Sequence, residues 1–160
     1  MANNYLQFSV AVDINPDKVE ELKAMEKWLK TVTTHEIEEI DELKLPDHIN
    51  NIVGEMFEQI FYEHESCGFE TTIYESEYYV YAEECGDIDL ATEWLYALIR
   101  LEILKPKTGY VVFTWAETCS KPRPDEFAGG AAIICHHGIK FQDNAWDWAF
   151  KQYKEMCHAA

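Results

Sequence analysis

The stretch FETTIYESEYYVYAEE, from Phe69 to Glu84, is where the period of the sequence changes. On either side, apolar residues recur at three- and four-residue spacing, as one face of a helix requires. Within it, FETTIY and YYVYAEE alternate with a period of two, and ESE stands between them. Two alternating runs parted by a short polar stretch read as a β-hairpin, or else as one long strand. In either case sheet lies between two helical segments, and the chain carries both.

Upstream, Ile49, Ile52, Val53, Met56, Phe57, Ile60 and Phe61 follow Pro46 and Asp47 at helical spacing, and this helix is expected to stop near Cys67 and Gly68. HEIEEIDELKL, at 35–45, is either a short acidic helix or a charged connection. Before it, NPDKVEELKAMEKWLKTV opens with Asn15 as a cap, Pro16 at the first helical position and Asp17 in the first turn. Val19, Leu22, Met25, Leu29 and Val32 form its apolar stripe. YLQFSVAVDI, at 5–14, alternates Leu6, Phe8, Val10 and Val12 on one face and predicts a strand.

Downstream, Gly86 ends the alternating segment, and Asp87 and Asp89 sit where a helix N-terminus favours negative charge. Ala91, Trp94, Leu95, Leu98 and Leu101 carry that helix to about Leu104. GYVVFTWAET and GGAAIIC predict strands, HHG a turn and IKFQ a short final strand; Asp143 or Asn144 then caps a last helix holding Trp146, Ala149, Phe150 and Tyr153. No repeat, low-complexity tract or linker divides the order β-α-α-β-β-α-β-β-β-α, so residues 1–160 are expected to form one domain. The expected fold class is α+β, with a ferredoxin-like split β-α-β-β-α-β core. Its mainly antiparallel sheet would carry helices on one face, with extra strands and a C-terminal helix added.

At 160 residues and 48% apolar composition the chain has material for a proper core. No run approaches the roughly 20 apolar residues of a membrane span, and MANNYLQFSV lacks the basic and apolar regions of a signal peptide. Five cysteines (Cys67, Cys85, Cys119, Cys135, Cys157) without a CxxC pair suggest reduced thiols and a cytoplasmic protein. The net charge is −17, and it is concentrated. Between His35 and Asp89 stand seventeen Asp and Glu against one lysine, Lys44, while the remaining residues are close to neutral. Such a block argues against direct nucleic-acid binding, which needs Lys and Arg at the phosphates. It favours a basic partner or a well-solvated face.

Chemistry is sparse. TCSKPRPDEFAGGA, at 118–131, offers Cys119 as a nucleophile, His136 or His137 as base and Asp125 or Glu126 as orienting carboxylate. A triad of this kind needs thiol and imidazole within hydrogen-bond reach. Strand pairing sets Cys119 and His136 either at opposite ends of one hairpin or side by side. The competing reading is a connection stiffened by Pro122 and Pro124, with Lys121 and Arg123 paired to Asp125 and Glu126 or touching a partner. CHHG, at 135–138, has metal-ligand residue types, but adjacent histidines point apart and no second cluster stands at zinc spacing, so no metal is expected. Gly129-Gly130 lacks the further glycine and lysine of a phosphate loop, and no cofactor is expected. Carboxylate pairs such as Glu38-Glu39 and Glu83-Glu84 arise by chance where acids are this dense. The tyrosines of YYVY are assigned to core packing, because no cations accompany them as a base-stacking surface would need.

The acidic block is the better candidate. Glu36, Glu38, Glu39, Asp41 and Glu42 would point outward from HEIEEIDELKL, Glu55 and Glu58 lie off the apolar stripe of the next helix, and Glu75, Glu77 and Glu83 share one parity in the hairpin. If these elements are neighbours they form a continuous negative surface. Like charges three or four apart on a helix cost roughly 0.2–0.5 kcal/mol per pair. A chain that gathers them tolerates a cost that a surface shaped for a basic cleft would justify. Clustered carboxylates can also imitate the charge density of duplex DNA.

YVYAEECGD (79–87), FTWAETCSKPRPDEFAGGAAII (113–134) and NAWDWA (144–149) resemble a group of small uncharacterised acidic proteins of bacteriophages and mobile elements. The likeness covers about the C-terminal half and is most specific at WAETCSKPR; Ala128 stands where that group carries the first of three glycines. The resemblance implies a setting of anti-defence, anti-CRISPR-like proteins and assigns no catalytic residue. The expected function is therefore a non-enzymatic inhibitor docking an acidic, DNA-mimicking surface, with Lys121 and Arg123 at its margin, on a basic nucleic-acid-binding protein such as a CRISPR or restriction effector. It would act as a monomer or small homo-oligomer. The alternative is a small cytoplasmic hydrolase built around Cys119, Asp125, Glu126 and His136.

Overall fold

The computed structural model describes residues 4–33, 67–120 and 128–142, together with 150, 151, 153, 154 and 156. Strand β1 spans Asn4–Asp13, and a 3-10 turn at Pro16–Lys18 leads into α1, Val19–Thr33. Asn15 caps that turn in an extended conformation, its side chain accepting from the Asp17 N–H. Strands β2 (Glu70–Tyr74) and β3 (Glu77–Ala82) form the hairpin, with Tyr74 opposite Glu77 and only Glu75 and Ser76 between them. Glu75 takes a φ of 54°, the left-handed turn that a two-residue hairpin loop favours.

Helix α2 spans Ile88–Arg100, and its N-cap Asp87 accepts from the Leu90 N–H at 2.9 Å. It ends four residues short of the expected Leu104. Glu102 turns left-handed at φ 56°, the Ile103 N–H donates to the Leu98 carbonyl and the Glu102 N–H to that of Ile99. This is a Schellman closure with glutamate where glycine is usual. It turns Ile103 and Leu104 into the core. Strands β4 (Tyr110–Cys119), β5 (Ala128–Cys135) and β6 (Gly138–Phe141) complete the sheet. The expected acidic segment at 35–45, the helix from Ile49 to Phe61 and the cap of the last helix lie outside the described residues; Phe150, Lys151, Tyr153, Lys154 and Met156 are helical.

The fold is α+β. Among the described residues, six strands form one antiparallel sheet in the order β2-β3-β1-β4-β5-β6. The register puts Phe8, Val12, Tyr78, Val80, Val111, Phe113, Ala132 and Ile134 on one face, where they join Leu22, Met25, Trp28 and Leu29 of α1 and Leu90, Trp94, Leu95 and Leu98 of α2 in one core. Trp28 and Trp94 lie parallel, centroids 6.1 Å apart, so the two helices meet through stacked indoles. Among the described residues, no helix is long and apolar enough to cross a membrane.

Tyr78 ties the layers together. Fully buried on β3, it donates its hydroxyl to Glu26 of α1 and accepts from the Trp94 indole N–H of α2 at 2.9 Å. Thr71 of β2 donates to the other Glu26 oxygen at 3.1 Å. Every buried side-chain polar atom described has such a partner. Burial first, then the Glu26 charge, pushes the Tyr78 phenol far above the tyrosine value of 10.0.

Above pH 10 the unfolded chain releases this proton while the folded chain keeps it. Stability present below pH 10 is therefore lost as the pH rises beyond it. Tyr78→Phe should cost about 1–3 kcal/mol at neutral pH, because it strands Glu26 and the Trp94 N–H, and should give a shallower fall above pH 10. Urea unfolding at several pH values measures both. Gly130 offers a second check: a Cβ there would stand 2.3 Å from the Trp115 ring. Gly130→Ala must displace that indole and should cost about 1–3 kcal/mol, read as a lowered melting temperature.

Candidate functional site

Among the described residues, α1 and α2 both pack on one face of the sheet, and the second face carries no core layer. Alternation that sends Phe8, Val80 and Phe113 into the core sends Ser9, Ala11, Tyr79, Tyr81, Thr114, Ala116 and Ile133 the other way. Val112 and Ile133 are 52% and 49% exposed on it, values no second core layer would leave.

Its β2–β3 end is acidic and aromatic. Glu70 stands opposite Tyr81 in the register and accepts its hydroxyl at 2.9 Å; Glu77 accepts the Tyr79 hydroxyl at 3.0 Å. Because those bonds favour the protonated phenol, both tyrosines are pushed above their ordinary pKa, with Glu83 adding to the effect at Tyr81 and Glu75 at Tyr79. Glu77 also lies directly across from Asp13 of β1, a like-charge pair that is unfavourable alone. Lys107 relieves it: its ammonium pairs with Asp13, holds that carboxyl below the usual range, and is itself raised by Asp13 and then Glu77.

Three of the sequence-predicted acids thus fall in one region. Glu75 occupies the hairpin turn, Glu77 opens β3 and Glu83 follows it, exposed. Glu36, Glu38, Glu39, Asp41, Glu42, Glu55 and Glu58 lie outside the described residues, as do Lys121, Arg123, Asp125 and Glu126. Glu70 and the outward tyrosines were missed. Assigning YYVY to the core holds for Tyr78 and not for Tyr79 or Tyr81, and the alternation itself carried the signal that neighbours in a strand cannot share a face.

The register does not bring Cys119 and His136 together. Cys119 pairs with Asn4 at one end of β4, whereas Tyr110 at the other end pairs with Cys135, next to His136. Nine residues of strand put these ends about 30 Å apart. His136 and His137 meet edge to face at 5.8 Å, and both are exposed. Cys67 donates its thiol to the Phe69 carbonyl, and burial pushes its pKa up, opposite to what a nucleophile needs. No disulfide joins the described cysteines, and among the described residues no group of three His, Cys, Asp or Glu could hold a metal ion. Comparison with protein-family models, with curated proteins and with solved structures finds no match.

Glu70→Gln should bring the Tyr81 titration back down toward 10 and leave Tyr79 raised, while Glu77→Gln should do the reverse. Tyrosine ring resonances followed by NMR against pH separate the two. If neither titration moves, the hydroxyl–carboxylate bonds do not persist in solution.

Proposed function

We propose that this protein is a non-enzymatic inhibitor of the phage or mobile-element type, acting in the cytoplasm as a monomer or small homo-oligomer. In this reading it docks an acidic, nucleic-acid-mimicking surface on a basic nucleic-acid-binding protein such as a CRISPR or restriction effector. The observation that carries the reading is the grouping of Glu70, Glu77 and Glu83 on one exposed sheet face, with Glu75 at its rim. Glu77 and Glu83 stand six residues apart, about 20 Å along the strand direction, so the charge is extended rather than a single spot. The wider segment from His35 to Asp89, with seventeen acids against one lysine, supports the same reading. Attraction of this kind speeds encounter and weakens with salt.

The scaffold proposed with it is a ferredoxin-like split β-α-β-β-α-β core. The order β2-β3-β1-β4, with α1 between β1 and β2 and α2 between β3 and β4, supports that assignment; β5 and β6 extend it. The hydrolase alternative loses its support with the separation of Cys119 from His136.

The combined Glu70→Gln, Glu75→Gln, Glu77→Gln and Glu83→Gln variant should lower partner affinity about tenfold or more at low salt, with far less effect at high salt. A tagged pull-down from host lysate, eluted by a salt step, supplies the partner, and titration calorimetry compares the two proteins. Equal affinity of wild type and variant at low salt would sink the acidic-docking reading for this face.

A further inference from the structure

The second face contains more than charge. Its centre is built from small side chains: Ser9 and Ala11 on β1, Thr114 and Ala116 on β4, and Ala131 on β5. They form the floor of a trough with Tyr79 and Tyr81 along one border, since Ser9 lies directly opposite Tyr81 and Ala11 opposite Tyr79. Where the trough meets the acids it opens into a cleft of about 520 Å³, lined among others by Gln7, Ser9, Tyr81, Glu83, Thr114 and Ala116. A floor of small residues on three neighbouring strands leaves room above the sheet for an incoming side chain.

The bordering groups select which side chain. Each outward tyrosine is fixed by its bond to a carboxylate, Tyr81 to Glu70 and Tyr79 to Glu77, so an aromatic ring and an anionic oxygen are held side by side at both positions. A guanidinium is planar: it can stack on a ring and still direct N–H groups at an adjacent carboxylate. An ammonium is a compact, strongly hydrated charge with no planar face to stack, so it gains less from the ring. The apolar stem of an arginine would meanwhile lie on Ala11, Ala116 and Ala131. Lys107 occupies the Asp13 end, which leaves Glu70 and Glu83, at the cleft end, as the charge that an incoming cation would meet.

We infer that this sheet face binds arginine-bearing segments of a partner protein, seating guanidinium groups against Tyr81, with Tyr79 beside it, and the carboxylates of Glu70 and Glu83. The inference rests on the docking reading for its setting and adds to it a preference for arginine over lysine, which an acidic surface alone does not produce.

The test needs no knowledge of the partner. A fluorescent arginine-rich peptide and a lysine-rich peptide of equal length and charge are titrated against the full chain by anisotropy. The arginine peptide should bind about tenfold tighter, the size of effect that one or two ring contacts supply. Tyr81→Leu should bring the two affinities together while leaving lysine-peptide binding nearly unchanged. Ser9→Leu fills the trough without altering charge or adding a ring, and should weaken arginine-peptide binding about tenfold by blocking access to the Tyr81 ring. Ala116→Leu does the same from β4 should the first variant fold poorly, and circular dichroism confirms that each variant is intact.

Equal binding of the two peptides by wild type would overturn the inference and leave the acidic surface standing. So would arginine preference that survives both Tyr81→Leu and a folded trough-filling variant. A concentration-dependent dimer abolished by Ser9→Leu would assign the face to a second copy of this chain instead. If discrimination holds but no basic protein elutes from lysate, the arginine site stands and the inhibitor reading falls.

Discussion

One hydroxyl group sits where three elements of this fold meet. Tyr78 projects from β3 into the core and bonds at once to Glu26 of α1 and Trp94 of α2. A carboxylate so close to the core is tolerable only while its oxygens are satisfied, and Tyr78 and Thr71 supply those bonds. The apolar contacts around it, including the stacked Trp28 and Trp94, are non-directional and would accept more than one helix placement. The hydrogen bonds are directional, and they set how both helices lie against β3.

Packing one face into the core turns the alternate side chains of every strand to the other face. Period two allows no intermediate choice: with Val80, Phe8 and Phe113 inward, Tyr79, Tyr81, Ser9 and Thr114 must point outward. The chain answers this constraint unevenly. On β2, β3 and the end of β1 it places carboxylates, hydroxyls and tyrosines; in the middle it places small residues; on β4 and β5 it leaves Val112 and Ile133 half exposed. The asymmetry gives the face an acidic aromatic border and a shallow floor, and both functional readings are built on it.

Much of the architecture was legible locally. Asn15 with Pro16, and Asp87 ahead of the stripe that starts at Ala91, are start signals that act through their immediate neighbours; the 3-10 turn leading into α1 and helix α2 begin there. The strands at β1, β4, β5 and β6 fall where alternation places them, within a residue or two. The end of α2 was not legible, because Glu102 adopts a left-handed φ that its residue type does not announce; burial of Ile103 and Leu104 compensates for it. Trp28 escaped the predicted stripe of α1, although it joins the core against Trp94. The site was half legible: Glu75, Glu77 and Glu83 were visible as acids of one parity, whereas Glu70 and the outward tyrosines gain meaning only through cross-strand pairing.

What the sequence by itself determined is what short-range physics controls: which segments are helical or extended, where helices are capped, and how strongly charge is concentrated between His35 and Asp89. Tertiary structure alone decided which residues meet. The register of β4 and β5 carried Cys119 and His136 to opposite ends of one hairpin, and the antiparallel pairing of β1 with β3 set Ser9 beside Tyr81 and Asp13 beside Glu77. Residues more than sixty positions apart become neighbours through backbone hydrogen bonds whose register is chosen by burial of the whole sheet. No local window of the chain contains that choice.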